Sequence, residues 1–174
     1  PPPGTAARLR AAGFLAADAE ATALWHAAGH RDDQLESLLE RRLMGEPLAW
    51  ILGTWELCGI EVHVHPGVYV PREHSDALVL RAVELLPADG LAVDTCCGSG
   101  AIGAVLRARR PRARVLGTDA DVRAVRCTLA NGVEAHRGDL LAPVPRADRG
   151  AVDVVVAVPP YVPTAELRFL HRDT

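Results

Sequence analysis

The sequence predicts an α/β fold built around a parallel sheet, and three observations support this prediction. Apolar segments with the length of strands alternate with segments that have helical periodicity. The strand-like segments are apolar at nearly every position, as expected when both faces of a sheet are covered. A glycine-rich turn connects the first of these strands to the helix that follows, an arrangement typical of ligand-binding α/β sheets.

The composition fits a folded chain with an aliphatic core. Of the 174 residues, 49% are hydrophobic and only 4% are aromatic, which excludes a wholly disordered chain. The 19 basic and 22 acidic residues give a net charge of −3, so neither nucleic acid nor a membrane is expected as a partner. The four cysteines lack the spacing of a zinc site, and nothing resembles a signal peptide, so we expect no metal and a reducing, cytoplasmic location.

Residues 1–48 are predicted to form a small module of two or three short helices. Apolar residues recur there at helical spacing, as in Leu35, Leu38, Leu39 and Leu43. Asp32 or Asp33 is expected to cap the helix that contains these leucines, and Pro47 follows its end. We interpret the module as a lid or a recognition element.

Residues 49–72 are predicted to form a β-hairpin that links this module to the α/β domain. The alternation of apolar and polar residues from Ile60 to His65 predicts a half-buried strand. A turn is expected at Pro66-Gly67, followed by a partner strand at residues 68–70.

Residues 73–174 are predicted to form the α/β domain. Strands are expected at residues 91–93, 114–117, near 133 and at 152–156, and helices at residues 75–86, 101–110 and 122–130. The carboxyl ends of parallel strands share one edge of the sheet, where such proteins bind ligands. We therefore expect the functional residues at that edge.

The first strand ends in Asp94 and continues into a turn that contains Gly98, Gly100 and Gly103. Glycine lets the backbone approach a ligand closely, and the following helix offers free N–H groups. The spacing also matches the dinucleotide fingerprint, in which an acid such as Asp119 at the end of the next strand binds a ribose. A nicotinamide-dependent oxidoreductase and a purely structural turn are both compatible with this pattern.

Asp94 favours a different cofactor. A carboxylate directly before the turn would repel a pyrophosphate, whereas it would attract a ligand that carries a sulfonium group. S-Adenosylmethionine is such a ligand. Asp119 would then bind the ribose hydroxyls, and Asp139 would accept a hydrogen bond from the adenine amino group, with a role as a loop cap as the alternative.

The fourth strand ends in a segment whose prolines cannot continue a β-ladder, Val158-Pro159-Pro160-Tyr161. The chain is expected to leave the sheet there, with carbonyl groups that face the crevice and with Tyr161 as a flat wall. An exit turn without further function is the alternative. Upstream, Arg72 is expected either to close over the carboxylate of a cofactor or to pair with Glu73 or Asp76.

These residues together resemble the class I S-adenosylmethionine-dependent methyltransferases. Two upstream segments, residues 42–53 with Gly-Glu-Pro-Leu and the sequence Val70-Pro71-Arg72, resemble the HemK/PrmC family of protein-(glutamine-N5) methyltransferases. The resemblance implies a Rossmann-like sheet, a substrate-recognition role for residues 1–48, and methylation of the Gly-Gly-Gln loop of peptide-chain release factors. Since such sheets have seven strands, the later strands are expected to lie outside this chain.

The resemblance assigns the candidate site residues to two groups. The cofactor-binding group comprises Arg72, Asp94, Cys96, Gly98, Gly100, Asp119 and Asp139. The acceptor side comprises Val158, Pro159, Pro160 and Tyr161. The implied cofactor is S-adenosylmethionine and the implied partner is a protein substrate. The arginine cluster at residues 107–114 has two possible interpretations, a solvent-exposed helix face and a contact with the ribosome.

Two positions depart from the family pattern. The family has Asn-Pro-Pro-Tyr where this chain has Val158, and that Asn supplies one of two acceptors for the carboxamide of the substrate glutamine. Loss of one acceptor costs ~1–3 kcal/mol, so a cofactor-binding module with little turnover is a further alternative. Cys96 stands where the family usually has glycine, and its small side chain is expected to be tolerated.

Overall fold

The structure is a computed structural model that describes residues 1–160. The described residues separate into two units, Pro1–Gly53 and 54–160. The first unit is helical, and the second contains a β-hairpin and the α/β sheet. Among the described residues, no helix has both the length and the apolarity that crossing a membrane requires.

The N-terminal unit consists of four helices whose apolar faces meet in one core. They are α1 (Thr5–Ala11), α2 (Ala17–Ala27), α3 (Asp32–Leu43) and α4 (Leu48–Leu52). The core includes Leu9, Phe14, Leu24, Leu35 and Leu39. The predicted short helices are confirmed for α1 to α3. The sequence did not predict α4, because five residues are too few to show a helical period.

The start of α3 differs from the prediction. We expected Asp32 or Asp33 to cap this helix, but the N-cap is Arg31, which makes no side-chain cap hydrogen bond. Both aspartates lie in the first turn of the helix, where their charge interacts favourably with the positive end of the helix dipole. They therefore stabilise the helix start through charge and not through a cap.

A buried ion pair lies inside this helical unit. Arg42 donates from Nε to Glu20 Oε2 at 2.6 Å and from Nη2 to Oε1 at 3.0 Å. The guanidinium carbon also lies 4.0 Å from the centre of the Phe14 ring. Arg42 is 4% exposed and Glu20 is 7% exposed, so each charge has lost its water and depends on the other for compensation.

The hairpin is present, but its strands pair differently from the prediction. Strand β1 (Thr54–Leu57) pairs antiparallel with β2 (Ile60–His63), whereas residues 68–70 form no strand. The connecting residues Cys58 and Gly59 both have positive φ, 49° and 77°, as a two-residue type I′ turn requires. A Cys-Gly pair is not a recognised signal for this turn, so the sequence analysis missed β1.

Two other predictions for this segment are confirmed. Val62 and Val64 are buried, while Glu61 and His63 are exposed, so the strand is half-buried as its alternation indicates. The turn at Pro66-Gly67 also forms, since the Val68 N–H donates to the His65 carbonyl at 3.1 Å.

The sheet of the second unit has four strands, and all neighbouring strands are parallel, as predicted. They are β3 (Leu91–Thr95), β4 (Arg114–Asp119), β5 (Glu134–Arg137) and β6 (Val154–Ala157), in the spatial order β5-β4-β3-β6. All five residues of β3 are buried, which agrees with its position inside the sheet. Val93 and Leu116 pack with Val144 in the core.

The helices of this unit lie within one residue of their predicted bounds. They are α5 (Asp76–Leu85), α6 (Ala101–Arg109) and α7 (Val122–Ala130), and short 3-10 turns cover Glu73–Ser75 and Arg146–Asp148. Arg109 donates to the Cys58 carbonyl at 3.1 Å, which fixes the hairpin turn to the end of α6. The hairpin and the sheet therefore belong to one folded unit.

We expect Glu20→Ala to destabilise the protein by about 3 kcal/mol, because it removes the buried carboxylate that pairs with the Arg42 guanidinium through two hydrogen bonds. Urea denaturation followed by circular dichroism measures the change. Asp18→Ala is the matched control, since Asp18 forms an ion pair of similar length, 2.7 Å, in which both side chains are exposed, and such a pair contributes little. Equal destabilisation by the two variants would show that burial does not determine the strength of the Arg42–Glu20 pair.

Candidate functional site

The sheet register brings the predicted site residues to one edge. Thr95 at the end of β3 pairs with Thr118 of β4 and with Ala157 of β6. The glycine turn follows Thr95, Asp119 follows Thr118, and Val158 follows Ala157. Three segments that are far apart in the sequence therefore leave the sheet side by side, at the edge where open α/β sheets bind ligands. We call this edge, formed by the C-terminal ends of the strands, the carboxyl edge.

We call residues 96–100 the glycine loop. Gly98 and Gly100 have φ angles of 57° and 77°, which non-glycine residues rarely adopt. A Cβ atom at Gly100 would lie 2.7 Å from Thr128 Cγ2, whereas one at Gly98 would meet nothing closer than Tyr69 at 3.9 Å. Gly100 is thus required for packing against α7, while Gly98 leaves open space beside the loop.

The backbone conformation at Cys96 explains why glycine is expected at this position. Its φ angle is 58°, and a side chain in this left-handed region costs roughly 1–3 kcal/mol. Burial raises the pKa of the Cys96 thiol, and the charges of Asp119, Asp94 and Asp139 raise it further. The three carboxylates that the sequence analysis singled out therefore all lie within electrostatic range of this one side chain.

Asp94 lies beneath the glycine loop and is 1% exposed. Its Oδ2 accepts a hydrogen bond from the Gly103 N–H at 3.1 Å, and its Oδ1 has no hydrogen-bond partner among the described residues. Gly103 is the third residue of α6, so Asp94 satisfies one of the free N–H groups at the start of this helix. Asp94 thus caps α6 from the neighbouring strand.

Burial raises the pKa of Asp94 to about 8. The charge of Asp119 acts in the same direction, while the hydrogen bond from Gly103 opposes the shift. A carboxyl group in this position is half protonated near pH 8 and becomes fully charged when a cation approaches it.

Asp119 holds the glycine loop against β4. Its Oδ2 accepts from the Gly98 N–H at 3.0 Å, and its Oδ1 accepts from the Asp121 N–H at 2.9 Å. Each carboxylate oxygen can accept a second hydrogen bond. The side chain is therefore oriented by the backbone and still able to bind two hydroxyl groups.

Asp139 is exposed, just beyond the end of β5. The next residue, Leu140, has a φ of 44°, and its carbonyl accepts a hydrogen bond from the Thr118 hydroxyl at 2.7 Å. This bond fixes the Asp139 segment beside the end of β4. The Asp139 carbonyl also accepts from the Ala142 N–H at 2.9 Å, so the residue takes part in a loop turn as well.

Arg72 reaches the same region through Tyr69. The Arg72 guanidinium carbon lies 5.7 Å from the centre of the Tyr69 ring, within the range of a cation–π contact. The Tyr69 backbone in turn borders the space above Gly98. Tyr69 thus contacts Arg72 through its ring and borders the glycine loop through its backbone.

The chain leaves the sheet after Ala157, as the two prolines predict. Val158 is half-buried, and Pro159 and Pro160 are exposed. Tyr161, the fourth member of the predicted acceptor side, lies outside the described residues. The segment 158–160 therefore forms one wall at the carboxyl edge, next to the β3 end that carries the glycine loop.

Two residues that the sequence did not predict as part of the site, one in α7 and one directly after it, bind the backbone of the glycine loop. Thr128 donates to the Gly98 carbonyl at 3.1 Å, and Asn131 donates to the Ser99 carbonyl at 2.8 Å. Their partners lie 30 and 32 positions earlier in the chain, so no local pattern marks them. The available signal was a polar residue on the buried face of α7, Thr128, and another at the C-cap of this helix, Asn131.

Two members of the arginine cluster at residues 107–114 form ion pairs with acidic side chains. In the arginine cluster, Arg112 pairs with Asp89 at 2.7 Å, and Arg114 pairs with Glu134 at 2.9 Å and with Asp148 at 2.8 Å. The described residues contain no group of three side chains that could hold a metal ion. At the carboxyl edge, Asp119 and Asp94 lie beside the glycine loop, and their charge favours a cationic ligand over a pyrophosphate.

The sequence is similar to known proteins over most of its length. The sequence matches the methyltransferase small domain family over residues 59–170. It is 38% identical to a release factor glutamine methyltransferase from Mycolicibacterium smegmatis over 135 residues, covering 74% of this chain and 48% of that protein. A release factor glutamine methyltransferase from Geobacter sulfurreducens is 34% identical over 142 residues, covering 78% of this chain and 49% of that protein.

A solved structure is also similar in part. PKMT2 from Rickettsia typhi in complex with AdoHcy shares 20% sequence identity, with a TM-score of 0.38, over 51% of this chain and 20% of that one. The chain spans about half the length of the curated relatives it matches. Because the family match covers more than half of its residues, the chain belongs to the methyltransferase small domain family.

Proposed function

We propose that this protein is an S-adenosylmethionine-dependent methyltransferase that methylates the side-chain nitrogen of a glutamine in a peptide-chain release factor. One observation carries the proposal: the carboxylates of Asp94 and Asp119 flank the glycine loop at the carboxyl edge of the sheet. The names of its relatives supply the substrate. None of these relatives supports the oxidoreductase alternative.

The proposed cofactor fits the residues at the carboxyl edge. The Asp94 Oδ1 is buried and has no partner within residues 1–160, and a cationic group would compensate its charge. Asp119 would accept hydrogen bonds from two ribose hydroxyls, and Asp139 would accept from an amino group of the base. Arg72 would face the carboxylate of the methionine part, and Cys96, Gly98 and Gly100 would shape the loop around it.

The acceptor side is assigned to the diproline segment. The two prolines end the β-ladder, and we assign the carbonyls of Val158 and Pro159 as acceptors for the carboxamide of the substrate. The Val158 side chain contributes only an apolar surface, and Tyr161 is assigned to the same acceptor side. The carboxamide would therefore be oriented by backbone carbonyls without the usual side-chain acceptor.

Methyl transfer to an amide requires orientation more than acid–base chemistry. When bound, S-adenosylmethionine supplies a methyl group on a positively charged sulfur. The residues of this chain would hold the amide nitrogen in line with that methyl group and exclude water, which together can lower the barrier by several kcal/mol. The nitrogen loses its proton after it is alkylated, so no side chain need act as a general base.

We assign residues 1–48 to substrate recognition, residues 49–72 to a hairpin linker and residues 73–174 to the methyltransferase domain. The buried Arg42–Glu20 pair and the aliphatic core of the helical unit support a preformed surface for a protein partner. A release factor as substrate places the reaction in the cytoplasm.

Binding of S-adenosylhomocysteine, measured by isothermal titration calorimetry, tests the cofactor assignment. We expect Asp119→Asn to weaken binding by at least tenfold, because it replaces charge-assisted hydrogen bonds to the ribose with neutral ones. Asp89→Asn, at an exposed acid that pairs with Arg112, is the matched control and should bind like the wild type. Binding of NAD with no binding of S-adenosylhomocysteine would refute the proposal.

The affinity for S-adenosylmethionine should rise with pH. The pKa of Asp94 is about 8 in the ligand-free protein, and a cationic ligand binds its charged form, so affinity increases up to about pH 8 and then levels off. The slope can reach tenfold per pH unit. Calorimetry between pH 6.5 and 9 checks this, and Asp94→Asn should bind more weakly without this rise. A wild-type profile that matches that of the variant would show that Asp94 does not face the cation.

Val158→Asn should increase methylation of a release factor by roughly ten- to a hundredfold, since it restores a second acceptor for the carboxamide. A radiolabelled methyl-transfer assay with the purified release factor measures the rate. Val158→Ala is the control, because it removes the valine methyl groups without adding an acceptor. Equal rates for the wild type and Val158→Asn would mean that Val158 does not limit turnover, and the binding-module alternative would lose its basis.

A further inference from the structure

The C-terminal end of α7 and its C-cap residue bind two consecutive carbonyl groups of the glycine loop. Thr128 and Asn131 lie one helical turn apart, and they donate to the Gly98 and Ser99 carbonyls at 3.1 Å and 2.8 Å. Thr128 is completely buried, and its hydroxyl lies within hydrogen-bond distance of the Gly98 carbonyl and of the Cys97 sulfur. We call these two residues the α7 clamp.

The hydroxyl of Thr128 also organises the residue before Gly98. Cys97 Sγ lies 3.2 Å from Thr128 Oγ1. The Gly98 carbonyl can only accept, so its bond with Thr128 uses the single hydroxyl proton, and the Cys97 thiol is the donor to Thr128 whenever that bond is formed. Burial raises the pKa of Cys97 to about 12, so the thiol keeps the proton that it donates. Three successive residues of the loop therefore depend on the α7 clamp.

The clamp determines which way the loop peptides face. The peptide bonds are trans, so the N–H of each residue points away from the carbonyl of the residue before it. With the Gly98 carbonyl directed toward α7, the Ser99 N–H points to the opposite side of the loop. Ser99 is 2% exposed, and its N–H has no hydrogen-bond partner among the described residues.

Asn131 also connects the loop to the hairpin. Its Oδ1 accepts from the His63 N–H at 2.8 Å, and its Nδ2 donates to the His63 carbonyl at 2.8 Å. The side chain thus pairs with the last residue of β2 as a neighbouring strand would. The side-chain amide of Asn131 therefore links the end of the hairpin to the Ser99 carbonyl.

We propose that Thr128 and Asn131 are positioning residues for the cofactor, which orient the glycine loop by binding its carbonyls and tie the hairpin to it. This inference rests on the proposed function. Neither residue needs to touch the ligand, because each acts through the loop backbone. The clamp makes the ligand-binding shape of the loop depend on α7, which packs against the sheet through buried residues such as Val125.

Binding of S-adenosylhomocysteine to four variants tests the clamp. Thr128→Val keeps the volume of the side chain but cannot donate to Gly98, and Asn131→Ala removes all three amide hydrogen bonds. We expect each to weaken binding by about tenfold. Thr128→Ser retains the hydroxyl and should bind within about threefold of the wild type. Arg126→Ala, at an exposed residue of α7, is the matched control and should leave binding unchanged.

Two-dimensional NMR of the ligand-free protein provides a readout that does not require binding. The Ser99 amide resonance should shift in Thr128→Val and Asn131→Ala, but not in Thr128→Ser or Arg126→Ala. Urea denaturation separates positioning from stability, because a purely structural role would lower the unfolding midpoint and leave the affinity of the folded protein unchanged.

The outcomes distinguish the clamp from the proposed function. If the wild type does not bind S-adenosylhomocysteine, the proposed function fails, while the Ser99 resonance still reports on the clamp. If the wild type binds and both Thr128→Val and Asn131→Ala bind equally well, the clamp is refuted and the cofactor assignment stands. An unchanged Ser99 resonance in both variants would also refute the clamp.

Discussion

The burial of the Asp94 carboxyl group is the constraint on which the site depends. This acid lies in the sheet at 1% exposure and holds the N–H of Gly103. It thereby fixes the start of α6 and the exit of the glycine loop. A buried carboxyl group with one unpartnered oxygen is costly unless a proton or a cation compensates it. The same residue therefore orients the backbone at the start of α6 and favours the binding of a positively charged group at the carboxyl edge.

The glycine loop is held from two sides by groups that are distant in sequence. Asp119 accepts the Gly98 N–H from β4, and the α7 clamp binds the carbonyls of Gly98 and Ser99. A peptide segment that is bound at both its N–H and its carbonyl groups has little freedom to reorient. Such preorganisation reduces the ordering cost when a ligand binds, which explains why a loop with three residues at positive φ can keep one shape.

Prediction from sequence succeeded where the signal was local or periodic. The bounds of α7 and the starts of β3 and β4 follow from helical spacing and hydrophobic runs, because burial on one or both faces leaves a regular pattern. The candidate acids could be located because strand ends in a parallel sheet share one edge. Prediction failed for β1, whose Cys-Gly turn has no established signal, and for the N-cap of α3, because both expected capping acids lie inside the first turn of the helix.

The sequence by itself determined the order of the elements, the acidic character of the carboxyl edge and the presence of a glycine turn, because these depend on residue type and on spacing along the chain. Only the tertiary structure decided how that turn is held. Thr128 and Asn131 act on residues 30 to 68 positions away, and the Asp94 pKa follows from how completely its surroundings exclude water. Contacts and burial arise from packing between distant segments, so no pattern within a single segment encodes them.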